Sequence, residues 1–115
     1  MGMALLDNDK DVLPLSSIAE LLSAKVRTLK MYEEKGLLPK KEGAVKKFYS
    51  INDVKPIAFV HYLASLKKIN ANGIKYICEM LYRNMDEKSR NEFFTQVEDK
   101  MEALSGKDIE DAESI

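Results

Sequence analysis

The side chains that could do chemistry in this sequence are mainly cations, and several recur at helical spacing. A helix is predicted from about Lys25 to Lys35. Four of its residues share one face: Arg27, Lys30, Met31 and Glu34. Lys25 and Thr28 lie near its start, where backbone N–H groups favour a phosphate. The stripe suits phosphate and base-edge contacts, although the same pattern also describes an ordinary solvated face.

Four further lysines cluster in the segment after this helix: Lys40, Lys41, Lys46 and Lys47. The segment has turn residues at Glu42 to Ala44 and continues through Phe48 and Tyr49, which predicts a small β-hairpin, or wing. Cations gathered in this way repel one another. An anionic partner is therefore the economical explanation for the cluster.

The distribution of charge along the chain favours an anionic partner, whereas the total charge does not. The 115 residues carry 18 basic and 19 acidic side chains, a net charge of −1. Residues 25–55 have a net charge of +5 and residues 56–85 of +3, while residues 1–24 have −3 and residues 86–115 have −6. Because local fields decide what docks, the positive middle of the chain is the expected binding region.

Several function classes are disfavoured by what the sequence lacks. It has no glycine-rich phosphate loop, no paired catalytic carboxylates and no nucleophile constellation, so we expect neither an enzyme nor a cofactor. The single cysteine, Cys78, precludes an intramolecular disulfide, and no metal site is expected. Cys78 lies on the apolar stripe of the fourth helix and is expected to be a packed thiol, and His61 in the apolar third helix is expected to be a core or a dimer-contact histidine. With no signal peptide and no apolar run long enough to span a membrane, a cytoplasmic protein is expected.

The first two predicted helices form a helix-turn-helix. The first is short and follows Pro14, with Ser16 or Ser17 as its N-cap. After a break of three to four residues, the second helix ends at Gly36, the residue type expected just past a helix C-terminus. Two short helices joined in this way are typical of DNA-binding domains.

Two more helices are expected to cover this unit. The third is apolar almost all round, and we expect Asp53 to cap it, which places Pro56 at its third helical position. A capping box of Ser50 with Asp53 is the alternative. Asn70 or Asn72 is expected to cap the fourth helix. The predicted fold class is mainly α, a winged helix-turn-helix domain with a C-terminal dimerisation helix.

A fifth helix, beginning near Asp86, has an apolar edge that it cannot cover by itself. The edge consists of Phe93, Phe94, Val97, Met101 and Leu104. Pairing with the same helix of a second copy would bury it, and folding back on its own domain is the alternative. The predicted organisation is a flexible tail (1–11), the winged helix-turn-helix domain (12–82), the dimerisation helix (85–105) and an acidic tail (106–115).

Three segments in this order resemble the DNA-binding domain of the mercuric-resistance regulator (MerR) family. They are residues 15–22, 26–39 and 46–54, against a family pattern of a helix, then T-L-R-Y-Y-E-x-x-G-L, then Y-R-x-Y-x-x-x-D. Ile74-Lys-Tyr-Ile is similar to the E-I-x-x-I helix of the family, so the resemblance covers about residues 13–82. The short length and the Gly73-Ile-Lys helix start look most like the small regulators related to the glutamine-synthetase and heat-shock repressors.

The resemblance implies a dimer whose second helix reads the DNA major groove and whose wings grip the flanking backbone. Five residues stand at matching positions of the recognition helix and the two wings: Lys30, Tyr32, Lys47, Lys67 and Lys68. Lys30 and Lys47 replace family arginines, which keeps the charge but loses the bidentate geometry. Met31 and Lys46 replace family tyrosines. These departures favour contacts to phosphate over the usual operator readout of the family.

The sequence therefore predicts a homodimeric, sequence-specific transcription regulator that binds double-stranded DNA at an inverted repeat. The predicted DNA-binding residues are Lys25, Arg27, Thr28, Lys30, Met31, Tyr32, Lys41, Lys46, Lys47, Tyr49, Lys67 and Lys68. Repression by occupying the operator is favoured, with RNA polymerase at the promoter as a further partner. No effector pocket is expected, because nothing after residue 85 is large enough to form one. The alternative is a module that binds a protein instead of DNA, as do the chaperone modulators that resemble this family.

Overall fold

Five helices make up the computed structural model, which describes residues 10–41 and 48–102. In chain order they are α1 (Leu15–Leu21), α2 (Val26–Glu34), α3 (Ile51–Ser65), α4 (Ala71–Asn84) and α5 (Glu87–Glu102). The helix α1 packs against α2, and α3 packs against both α4 and α5. The mainly α part of the predicted fold class is confirmed.

The helix-turn-helix is formed by α1 and α2. The predicted serine cap of α1 is wrong, because the Ser17 N–H already donates to the Pro14 carbonyl at 3.0 Å and Pro14 is the N-cap residue. The turn that follows passes through Ser23, whose φ is +53°. Beyond α2, Gly36 has a φ of +74°, a left-handed conformation that suits glycine, so the predicted helix stop is confirmed.

The predicted β-hairpin wing is wrong: residues 10–41 and 48–102 contain no strand. Instead, Tyr49 forms an isolated antiparallel bridge with Leu13, and their two N–H···O bonds are both 2.8 Å long. Because Leu13 takes the N–H and the carbonyl of Tyr49, these groups are not available to a preceding hairpin strand. The predicted turn, with Lys46 and Lys47, lies outside the described residues.

The third helix begins earlier than expected. Ser50 and not Asp53 is its N-cap residue, which puts Pro56 at the sixth helical position. A capping box explains the difference, because the Ser50 N–H donates to the Asp53 carboxylate at 2.8 Å. The cap and the burial of residues 57–61 and 63 together outweigh the helix-breaking tendency of the proline.

The core is centred on α3 and is closed on one side by α5. The rings of Phe93 and Phe94 lie 5.4 and 5.3 Å from that of Phe59, centroid to centroid. Phe94 and Val97 are buried, and Phe93 is partly buried. Two of the predicted dimerisation residues are therefore covered by their own chain. Met101 belongs to α5, and Leu104 lies outside the described residues.

A buried polar contact links α2 to the core. The hydroxyl of Tyr32 on α2 lies 2.9 Å from Nδ1 of His61 on α3, and the Ser65 hydroxyl lies 3.1 Å from the same nitrogen. His61 is only 2% exposed, so of its two predicted positions, the core and a dimer contact, the structure shows the core. Asn70 caps α4 by accepting a hydrogen bond from the Gly73 N–H, as predicted.

Candidate nucleic-acid interface

One face of α2 is open to solvent and carries the predicted stripe. All four of its residues are exposed: Arg27, Lys30, Met31 and Glu34. On the opposite face Leu29 and Tyr32 are buried, while Val26 is 37% exposed. The 3.6-residue period thus divides the helix into an inner face that holds it on α1 and α3 and an outer face that can meet a ligand.

The N-terminus of α2 lies beside this stripe and can accept an anion. Lys25 is the exposed N-cap residue, and Thr28 is half-buried within the first turn. An ammonium group has no lone pair, so Lys25 cannot accept a hydrogen bond from the first-turn N–H groups as serine or aspartate would. A phosphate placed there would meet backbone donors and a cation together.

Two tyrosines that were predicted to contact DNA lie in the core. Tyr32 is 2% exposed and Tyr49 is 1% exposed. The Tyr49 hydroxyl donates to the Glu33 carboxylate at 2.6 Å. Burial, together with this hydrogen bond, raises the pKa of the Tyr49 phenol far above its usual range. In this structure both side chains position α2 and neither forms part of its outer surface.

Lys41 is held by two carboxylates. Its Nζ lies 2.8 Å from Asp11 and 2.7 Å from Asp53, and its side chain is only 19% exposed. Burial alone would lower the pKa of this ammonium, but the bonds to Asp11 and Asp53 outweigh it and raise the pKa. Asp11 was predicted to belong to the flexible tail, so sequence reasoning missed this pairing. The charge of Lys41 is largely neutralised where it lies.

Two more predicted contacts lie in the turn between α3 and α4. Lys67 and Lys68 are both exposed. Lys68 adopts a φ of +57°, and Nζ of Lys67 lies 5.7 Å from the centroid of the Tyr62 ring. Of the predicted DNA contacts, six polar side chains in the described residues are exposed or half-exposed: Lys25, Arg27, Thr28, Lys30, Lys67 and Lys68.

Replacing Tyr49 by phenylalanine should lower the free energy of unfolding at pH 7 by about 1.5 kcal/mol, because a hydrogen bond to a carboxylate is lost. The raised pKa of Tyr49 adds a pH dependence. The stabilisation by the neutral Tyr49 phenol is fully present below the pKa of the unfolded-state tyrosine, 10.0. It is lost as the pH rises towards the pKa of Tyr49 in the folded protein. Urea titrations at pH 7 and pH 11 check this: the gap between wild type and Y49F should narrow at the higher pH, and a constant gap would contradict it.

Other kinds of site find little support in the described part of the chain. Within residues 10–41 and 48–102 no group of three or more His, Cys, Asp or Glu side chains could hold a metal ion. Cys78 is half-buried, and burial raises the pKa of its thiol. None of the five described helices is both long and apolar enough to cross a membrane.

Comparison with known proteins identifies the family. Residues 13–81, more than half of the chain, match the family described as "MerR HTH family regulatory protein". No curated protein and no solved structure matches the chain. The match spans α1 to α4 up to Leu81 and so includes the exposed stripe of α2. The chain therefore belongs to the MerR family of helix-turn-helix regulatory proteins, a family of DNA-binding transcription regulators.

Proposed function

We propose that this chain is a sequence-specific regulator that inserts α2 into the major groove of an inverted-repeat operator. The observation that carries the proposal is the exposed stripe of α2, on which Arg27 and Lys30 lie next to the flexible side chain of Met31. Nine residues of helix give a rod about 13 Å long and 10–12 Å wide. Such a rod fits a major groove about 12 Å across.

Phosphate contacts supply most of the affinity in this proposal. Lys25 and the N-terminus of α2 take one backbone phosphate, and Lys67 with Lys68 takes another at the turn between α3 and α4. Lys41 contributes little, because leaving Asp11 and Asp53 would cost both of its ion pairs. Lys30 can contact a base edge or a phosphate only as a point charge, so sequence preference rests partly on Arg27 and Met31.

The regulator acts as a homodimer in this proposal, with two recognition helices spaced about 34 Å or a multiple of it apart. Since Phe94 and Val97 are already buried within the chain, a second copy would pair with the rest of the predicted edge, where Phe93 is only partly buried. Repression follows from occupying the operator and excluding RNA polymerase. The small glutamine-synthetase and heat-shock repressors are the branch whose mode of action this would share.

A salt titration tests the phosphate-driven binding. If four to six cations of one site meet phosphates, the logarithm of the affinity should fall with the logarithm of salt concentration at a slope of about −4 to −5. The measurement is a gel shift between 50 and 200 mM KCl, using duplexes selected from a random library.

The same titration on unselected duplex serves as the control. Selected duplex should bind at least about 1,000-fold more tightly at physiological salt, as specific regulators do. A flat salt dependence, or equal affinity for both duplexes, would count against a sequence-specific regulator.

A further inference from the structure

A cleft of about 680 Å³ lies just beyond the C-terminal end of α2, where Gly36 forms part of its lining. Its walls come from the loop at residues 36–40 and from α3, α4 and α5. The volume falls within the range of about 300–1,000 Å³ that is typical of small-molecule sites. A second depression runs along α5, but residues of that single helix line it, so it encloses nothing.

The floor of this cleft is apolar. Phe59 and Phe94 are 3% and 4% exposed, and Pro39, Pro56 and Tyr82 also line the cleft. Tyr82 is 52% exposed in spite of its size, and the Arg90 guanidinium lies 4.3 Å from its ring centroid. An exposed aromatic side chain that lines a cleft together with buried phenylalanines is suited to contact the hydrocarbon part of a ligand.

The rim of the cleft is polar and has a net positive charge. Lys40 and Lys75 line it together with one acid, Glu79. The Lys75 Nζ would lie 3.9 Å from a Cβ added at Gly36, which puts the ammonium at the end of α2. Among residues 10–41 and 48–102 neither ammonium has an ion-pair or hydrogen-bond partner. Two available cations at the mouth of an apolar cleft are complementary to a single anionic head group.

We propose that this cleft binds a small amphipathic carboxylate. The hydrocarbon part lies on Phe59 and Tyr82, and the carboxylate accepts hydrogen bonds from Lys40 and Lys75. Binding of this kind needs no additional domain, because the MerR-type unit and α5 already form the walls. The expectation from sequence that no pocket could form rested on the length after residue 85 and overlooked a cleft shared between α3, α4 and α5.

The position of the cleft allows a bound ligand to affect the proposed DNA-binding face. The loop that forms one wall continues directly from α2, and its Leu37 N–H donates to the Tyr32 carbonyl at 2.9 Å. A ligand bound to this loop reduces the mobility of the loop and so of α2, to which the loop is joined. The affinity for the ligand and the affinity for DNA are therefore coupled. This coupling rests on the proposed function, whereas binding of the carboxylate does not and is tested without DNA.

The test uses 8-anilinonaphthalene-1-sulfonate as a fluorescent amphipathic anion and decanoate as the competing carboxylate. Decanoate should displace the dye, while 1-decanol should do so at least about 10-fold less well, because it lacks the charge.

Lys75→Glu should lower the affinity for decanoate at least about 10-fold. Lys88→Glu on α5 makes the same charge change outside the cleft and should leave the affinity for decanoate unchanged. Equal displacement by acid and alcohol, or equal affinity in the two variants, overturns the proposal.

Cys78 provides a second readout, because its side chain lines the cleft. Bound decanoate should slow the reaction of the Cys78 thiol with 5,5′-dithiobis(2-nitrobenzoate) at least about fivefold in wild type and not in Lys75→Glu. A reaction rate that decanoate leaves unchanged overturns the proposal. The proposal is also overturned if, without decanoate, the Cys78 thiol reacts more slowly as the protein concentration rises, because a second copy of the chain would then occupy the cleft.

Discussion

Replacing Arg27 and Lys30 together by glutamate is expected to lower the affinity for selected DNA at least about 100-fold. Each side chain would change from an attractive contact with phosphate into a repulsive one, and each lost phosphate contact should also reduce the salt slope by about 0.9. Both side chains are exposed, and neither pairs with another residue in the described part of the chain. The free energy of unfolding should therefore change by no more than about 0.5 kcal/mol.

The matched control is the double variant with Lys10 and Lys88 replaced by glutamate. Both lysines are exposed and lie outside the proposed DNA surface, and the total charge changes by the same amount. Gel shifts at fixed salt and urea titrations on the two double variants separate a local effect from a global one. An equal loss of affinity in both would mean that net charge and not the face of α2 governs binding.

The helix-turn-helix could be predicted from sequence because its signals are local. The positions of Leu29 and Tyr32 relative to Arg27 and Lys30 follow from a period of 3.6 residues, and Gly36 marks the helix end in the sequence itself. The outer face of α2 was correctly predicted for the same reason. A pattern of this kind needs no knowledge of what the helix packs against.

The segment around Lys41 and Tyr49 could not be predicted because its partners are distant in sequence. Tyr49 bridges to Leu13, and Lys41 pairs with Asp11, which lies 30 residues earlier. A run of lysines with aromatic residues beside it predicts a basic hairpin when it is considered alone. Only the tertiary arrangement shows that the carboxylates of Asp11 and Asp53 neutralise one of these cations.

The apolar edge of α5 illustrates a third situation, in which sequence identifies a buried surface but not what covers it. The spacing of Phe93, Phe94 and Val97 showed that the edge must be hidden from water. A second copy and the rest of the chain satisfy that requirement equally well on hydrophobic grounds. In the structure Phe94 packs against Phe59, so the covering surface for this residue is α3 of its own chain.

Replacing Phe94 by alanine is therefore expected to lower the free energy of unfolding by about 3–5 kcal/mol, the usual cost of removing a buried phenylalanine. The free energy of unfolding of a single domain is about 5–15 kcal/mol in total, so the variant should be only marginally stable. Gln96→Ala is the control on the same helix, because Gln96 is exposed, and it should change stability by no more than about 0.5 kcal/mol. Urea titrations followed by circular dichroism measure both.

The dependence of this loss of stability on protein concentration shows whether Phe94 is buried by its own chain or by a second copy. Since Phe59 and Phe94 belong to one chain, the destabilisation should be the same at 1 and 100 µM protein. A contact across a dimer would instead make the loss appear in the association step, so the variant would regain stability as its concentration rises. Such a gain would contradict the intrachain packing and would return Phe94 to the dimer interface. An unchanged loss would leave Phe93 and the later part of α5 as the surface on which a second copy could pair.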